Sequence, residues 1–244
     1  MNNLGARIYG IAATMMGAAG FIWGELATGW LPLPATGRTA LAYALSALLL
    51  AGGALINWRQ RWGAGLLAAV FGFGFAVVDG PALAMHLGQF GYWESAAEPL
   101  ALAMAGLVAF ASAGETPASQ RFARIGCIGF ALCLFVFGAA HFVYAAYTAS
   151  LVPAWLPPNQ MFWVYATGAA AIAAGLAILC GILDAWAARL LAAMYIVFGA
   201  LVHAPLLWAK PADHFRWVEF IVNLALIGAA WIVADRLAAR ETMA

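Results

Sequence analysis

The chain has 244 residues, of which 66% are hydrophobic and only 9% charged, with a formal net charge of +1 and a mean hydropathy of +0.91. So little polar surface does not suit a soluble protein of this length, and the chain belongs in a bilayer. The near-neutral charge and the lack of any polybasic run argue against nucleic acid as a partner and against special attraction to anionic lipid.

In chain order, apolar runs of about 17 to 25 residues, enough to cross roughly 30 Å of hydrocarbon as helix, predict eight membrane helices. They lie near Ile8–Ala27, Thr39–Asn57, Gly63–Asp79, Trp93–Ala113, Ile125–Thr148, Met161–Ile182, Ala187–Trp208 and Arg216–Ala234. The runs are long and continuous rather than short and alternating, which argues against a transmembrane β-barrel. Arg7 ahead of a run rich in small residues gives the first segment the look of a signal peptide. Its alignment with the fifth segment, which cannot be a signal, marks it as a retained helix.

That alignment is part of an internal repeat. Gly17-Ala18-Ala19-Gly20-Phe21 returns 121 residues later as Gly138-Ala139-Ala140-His141-Phe142. Tyr43 and Gly53 return at an offset of 122 as Tyr165 and Gly175. At an offset of 124, Leu66-Leu67-Ala68-Ala69 matches Leu190-Leu191-Ala192-Ala193, and Asp79-Gly80-Pro81 matches His203-Ala204-Pro205. The expected organisation is a first four-helix repeat over residues 1–113, a linker over 114–123 and a second repeat over 124–244. Four helices per repeat is an even number, so the two copies share one topology, as parallel repeats do.

Arg7, Arg59, Arg61, Arg121, Arg124, Arg189, Arg236 and Arg240 fall on one side of these spans, and only Arg38, Lys210 and Arg216 on the other. The excess of positive charge places both termini in the cytoplasm. Cys127, Cys133 and Cys180 form no C-x-x-C pair, which argues against a thiol–disulfide relay within the chain. Gly20 and Gly24 form a small-xxx-small pair of the kind that lets helices approach, a basis for a homo-oligomer.

Ionisable groups in hydrocarbon mark cavities, pathways or paired sites. Here they collect on the side away from the arginines. Glu25, Asp79, His141 and His203 each lie about 16 to 17 residues from the cytoplasmic end of their helix, roughly 24–26 Å along it at 1.5 Å per residue. Glu219 and Asn223, spaced i,i+4, share one helix face, with Arg216 a turn earlier as a neutralising partner. Glu94, Glu98, Asp213 and His214 read as interfacial groups that snorkel or cap helix ends. Trp163 and Tyr165, just inside the sixth helix, are anchors or cavity walls. The Pro-rich segments Gly29–Gly37 and Ser150–Gln160 are expected to lie over the mouth of each half, as lids or stiff connectors.

Gly138–Phe142 with its histidine, the stretch Thr148–Pro158, Phe162-Trp163 before Tyr165-Ala166-Thr167-Gly168, Gly175, and His203-Ala204-Pro205 together resemble the DoxX-like family of four-helix membrane proteins. The resemblance covers about Arg124 to Ala234, and the first half looks like a diverged copy. It implies a four-helix unit, here doubled, in a bacterial inner (plasma) membrane. It also implies a role as a subunit of quinone-linked oxidoreductases or as a partner in redox and thiol-stress complexes.

The ligand-binding candidates are therefore His141, His203, Glu25, Asp79, Glu219, Asn223 and Trp163. Histidine and carboxylate side chains can hydrogen-bond a quinone carbonyl and exchange its protons, and aromatic walls can hold its ring. No side chain here carries electrons by itself, so a quinone-linked oxidoreductase role needs a soluble or membrane redox partner. His141 and His203 are also candidate ligands to a b-type haem or a metal. A small-molecule or ion transporter and a non-catalytic scaffold for a partner protein are the alternatives.

Overall fold

The computed structural model describes residues 4–25 and 35–241. Among these residues there are nine helices and no strand: α1 (Leu4–Trp23), α2 (Ala35–Trp58), α3 (Gln60–Met85), α4 (Phe90–Ser112), α5 (Pro117–Val143), α6 (Ala145–Leu151), α7 (Gln160–Cys180), α8 (Asp184–Ala209) and α9 (His214–Glu241). Seven of them, α2 to α5 and α7 to α9, are long and apolar enough to cross a membrane. The chain is a multi-pass membrane protein. Large apolar side chains such as Ile22, Trp58, Trp186 and Trp208 stand exposed on the outside of the bundle, as lipid-facing positions do. The 20-residue α1 packs on both α2 and α9.

Several expected boundaries move, each for a local reason. The first span was expected to reach Ala27, but α1 stops at Trp23 because Gly24 takes a left-handed φ of +66° and its N–H returns to the Gly20 carbonyl. The linker expected over residues 114–123 shrinks to 113–116. Thr116 accepts a hydrogen bond from the Ser119 N–H at 3.1 Å, Pro117 fills the first turn, and α5 starts there. The fifth span breaks at Tyr144, after which α6 runs to Leu151. Most of the expected lid Gly29–Gly37 lies outside the described residues. Gly20 does not offer its face to a second copy, since it packs inside the chain against Ser46.

Two long helices contain the same irregularity. In α3 the turn Phe75–Asp79 is a π turn, and the Gly80 N–H reaches back five residues to the Phe75 carbonyl. In α8 the turn Gly199–His203 is another, closed by the Ala204 N–H on the Gly199 carbonyl. Pro81 and Pro205 follow directly. A proline ring lacks an N–H and clashes with the carbonyl four residues back, so the helix widens by one residue ahead of it. Asp79 and His203 are the last residues of the two widened turns.

The loops that follow also correspond. The Trp93 indole N–H donates to the Leu87 carbonyl at 3.0 Å, and the Trp217 indole N–H donates to the Pro211 carbonyl at 2.8 Å. Both bonds tie the start of a helix to the loop before it. The packing pairs follow suit. α1 packs on α2 as α5 packs on α7, and α3 packs on α4 as α8 packs on α9. Across the halves, α4 packs on α5, α9 packs on α1, and α4 meets α9 in the centre.

At the arginine-rich end, Asp184 is buried. Its carboxylate accepts from the Ala185 N–H and pairs with Arg240 at 2.5 Å, which fixes the start of α8 to the end of α9.

Candidate functional site

The second half holds a half-open cavity of about 630 Å³ between α5, α6, α7, α8 and α9, reaching α4. Its walls are mainly apolar and aromatic, with Phe137, Tyr144, Tyr147, Trp163 and Phe198 among them. Five of the seven residues singled out from sequence line it: His141, His203, Glu219, Asn223 and Trp163. The π turn places His203 there, at the point where α8 widens before Pro205.

His141 sits on α5 directly over Gly168 of α7, where a Cβ would come within 2.8 Å of the His141 Cβ. Its Nδ1 is 2.9 Å from the Phe137 carbonyl. A carbonyl can only accept, so Nδ1 carries the proton, and in the neutral ring Nε2 is left as an acceptor. The ring also stacks near Phe198, with centroids 6.1 Å apart.

Asn223, buried on α9, donates from Nδ2 to the Tyr195 carbonyl at 3.1 Å and so braces α8 one turn before its π turn. Glu219 lies one turn earlier on the same face. Arg216, a turn before Glu219, forms no ion pair with it or with His203 among the described residues. Its guanidinium carbon lies 5.5 Å from the Phe215 ring centroid.

The segment Ser150–Gln160 forms one wall of the cavity through Leu151, Val152, Pro153 and Leu156. It is held by hydrogen bonds from Gln160 Nε2 to the Val152 carbonyl and from the Trp163 indole N–H to the Pro157 carbonyl at 2.9 Å. Asn159 caps α7 by accepting from the Phe162 N–H. Trp163 therefore belongs to the wall and its latch at once. Tyr165 turns away and stacks on Phe142 at 5.7 Å.

Two candidates lie elsewhere. Glu25 is exposed beyond the end of α1, with its carboxylate 3.9 Å from His214, whose ring stacks on Trp23 at 4.7 Å. Asp79 is buried in the first half, with Oδ2 lacking a hydrogen-bond partner. Equal depth along the helices did not bring these two to the second half's cavity. No group of three or more His, Cys, Asp or Glu able to hold a metal ion occurs among the described residues.

The cavity also contains residues read from sequence as interfacial or passed over. Glu94 and Glu98 enter it from α4, and with Glu219 they put three carboxyl groups on its lining. The signal for them was present: Glu94 and Glu98 are spaced i,i+4 on the fourth helix, as Glu219 and Asn223 are on its counterpart. Thr167 and Tyr195 line the cavity as well. Thr167 is satisfied by the Trp163 carbonyl at 2.7 Å.

Residues 130–234, which hold most of this cavity, match the model of a family described only as a domain of unknown function (DUF8561). No curated protein and no solved structure matches the chain.

Proposed function

We propose that the chain is a redox-associated membrane subunit that binds a quinone or a similar lipophilic ligand in the cavity of its second half. In this reading α1 is an eighth spanning helix, its 20 residues covering about 30 Å. Two parallel four-helix units of the DoxX-like kind then face each other across α4 and α9. The arginine-rich end and both termini lie in the cytoplasm, and the cavity opens towards the outer leaflet of a bacterial inner membrane.

The observation that carries the reading is the cavity itself. At about 630 Å³ it falls in the range of small-molecule sites, which are mostly apolar with a few convergent polar groups. Aromatic rings from α5, α7 and α8 suit a planar ring, and the apolar segment 151–156 suits its tail. His141, His203, Glu98 and Glu219 supply hydrogen bonds to ring oxygens and sites for their protons. Electrons pass to or from a partner protein.

The test is native mass spectrometry of the full chain in mild detergent, supplied with a short-tailed ubiquinone. The expected result is a one-to-one adduct that is lost in a His141→Ala, His203→Ala double variant. No adduct in either protein, or an equal adduct in both, overturns the reading.

A further inference from the structure

α7 lines the cavity through Trp163, Val164 and Thr167, all within its first eight residues. α8 lines it much further, from His203 down to Leu190 towards the arginine-rich end. Leu190 and Val197 belong to the cavity wall, yet they are 69% and 50% exposed. They continue the face of α8 that carries Trp186 on the outside of the bundle, since residues four and seven apart share a helix face. The cavity therefore runs out sideways along α8, below the last residue that α7 contributes.

The two halves differ at the joint that sets this spacing. In the first half Arg59 alone joins α2 to α3, and glycine stands on both sides of the contact. A Cβ at Gly52 would lie 2.6 Å from Leu67 Cδ2, and one at Gly63 would lie 2.1 Å from the Ile56 nitrogen. The second half has Ala174 and Ala187 at these places, and three residues, 181–183, join α7 to α8. The extra residues fall where the offset of the repeat passes from 122 to 124. Glycine lets helix backbones approach closely, so a side chain in its place and a longer turn both hold the pair apart.

We infer that the ligand enters from the bilayer through this slot between α7 and α8, and that its hydrocarbon tail stays there while its head reaches the polar groups around His203 and Glu219. This rests on the quinone reading above, takes the tail past segment 151–156 and makes it a determinant of binding. From Leu190 to Leu201 the slot is about 16 Å long at 1.5 Å per residue, close to the depth of one leaflet of a roughly 30 Å hydrocarbon layer. Its α8 wall consists of Leu190, Ala193, Met194, Val197 and Leu201, so a chain lying between that wall and lipid strands no polar group.

The experiment titrates the full-length protein in detergent with ubiquinones carrying no, one or two isoprene units, read by tryptophan fluorescence quenching, for wild type and Ala193→Trp. In wild type the two-unit quinone should bind at least about tenfold more tightly than the tail-less one, because each buried methylene adds to affinity. An indole at Ala193, an exposed position on the cavity wall, should cut that ratio by at least about threefold. Partition of the tail into detergent is common to both proteins and cancels in the comparison. Equal ratios overturn the inference while leaving quinone binding intact. The second measurement needs no variant: a ubiquinone with a photoreactive group at the end of its tail should label wild-type α8 between Leu190 and Leu201. Label confined to other segments overturns the inference. Failure of wild type to bind any of the three quinones overturns both readings.

Discussion

The two halves, residues 4–112 and 117–241, share their irregularities and differ in their chemistry. Each has a π turn ahead of a proline and an indole clip on the loop that follows. Each also has a stacked aromatic pair, Phe21 with Tyr43 at 5.4 Å and Phe142 with Tyr165 at 5.7 Å. Against this common frame, Gly20, Phe71, Asp79, Ser95 and Pro99 of the first half stand where the second has His141, Tyr195, His203, Glu219 and Asn223. Three of these exchanges add a hydrogen-bonding side chain to the second half, and the other two swap carboxylate for imidazole and hydroxyl for carboxyl. The two halves thus have their helix-breaking and anchoring residues in common and differ in polar side chains.

Small residues show how such exchanges are accommodated. Where α9 meets α1, a Cβ at Gly228 would lie 2.5 Å from the Tyr9 backbone nitrogen and 2.8 Å from its Cα. At the corresponding place on α4 stands Met104, and there α5 yields instead, with Gly129 receiving the methionine side chain and Gly126 the Met104 carbonyl and Val108. Gly228→Met, which imports the residue of the other half, should therefore give the largest loss. We expect about 3 kcal/mol, at the upper end for overpacking, seen as a depressed unfolding temperature in detergent or as failure to accumulate. A wild-type unfolding temperature would break the correspondence between the α1–α9 and α4–α5 interfaces.

The same logic governs the histidine. In the first half Gly20 on α1 faces Ser46 on α2, and in the second His141 on α5 faces Gly168 on α7. The glycine has moved to the opposite helix to make room for the imidazole. Gly168→Ser alone should cost about 2 kcal/mol, because the added side chain meets His141. Adding His141→Gly rebuilds the first half's pairing and should return at least about 1 kcal/mol of that loss, a coupling within the range for residues in contact. Additive losses in the double-mutant cycle would mean that the two exchanges are unrelated.

How far the sequence could foresee this depended on the kind of signal. Apolar run length located the long helices, with ends displaced by up to eight residues as at Pro117, because crossing hydrocarbon is a requirement on composition. The ends at Gly24 and Thr116 were misplaced because caps are set by one or two residues inside an apolar or polar stretch. His141, His203, Glu219, Asn223 and Trp163 could be singled out as polar or aromatic departures within a repeat. Which of them share a cavity could not, since Asp79 and His203 occupy equivalent turns in different halves. Glu98 was misread because position near a helix end says nothing about which neighbour it faces, and α4 turned out to be central.

The smallest expected effect is the one most sensitive to whether the halves are equivalent. Trp93→Phe and Trp217→Phe each keep an aromatic ring and remove a single N–H donor to the preceding loop. Each should cost about 1 kcal/mol, the net worth of one hydrogen bond, and thermal unfolding of the two variants side by side measures it. Trp217 also lies 6.4 Å from Trp23, an aromatic contact that phenylalanine retains only in part, so its loss should exceed that of Trp93 by about 0.5 kcal/mol. A near-equal pair of losses with that order supports one clip used twice. If Trp93→Phe is silent and Trp217→Phe is not, the first clip contributes nothing and the structural equivalence stops at the π turns.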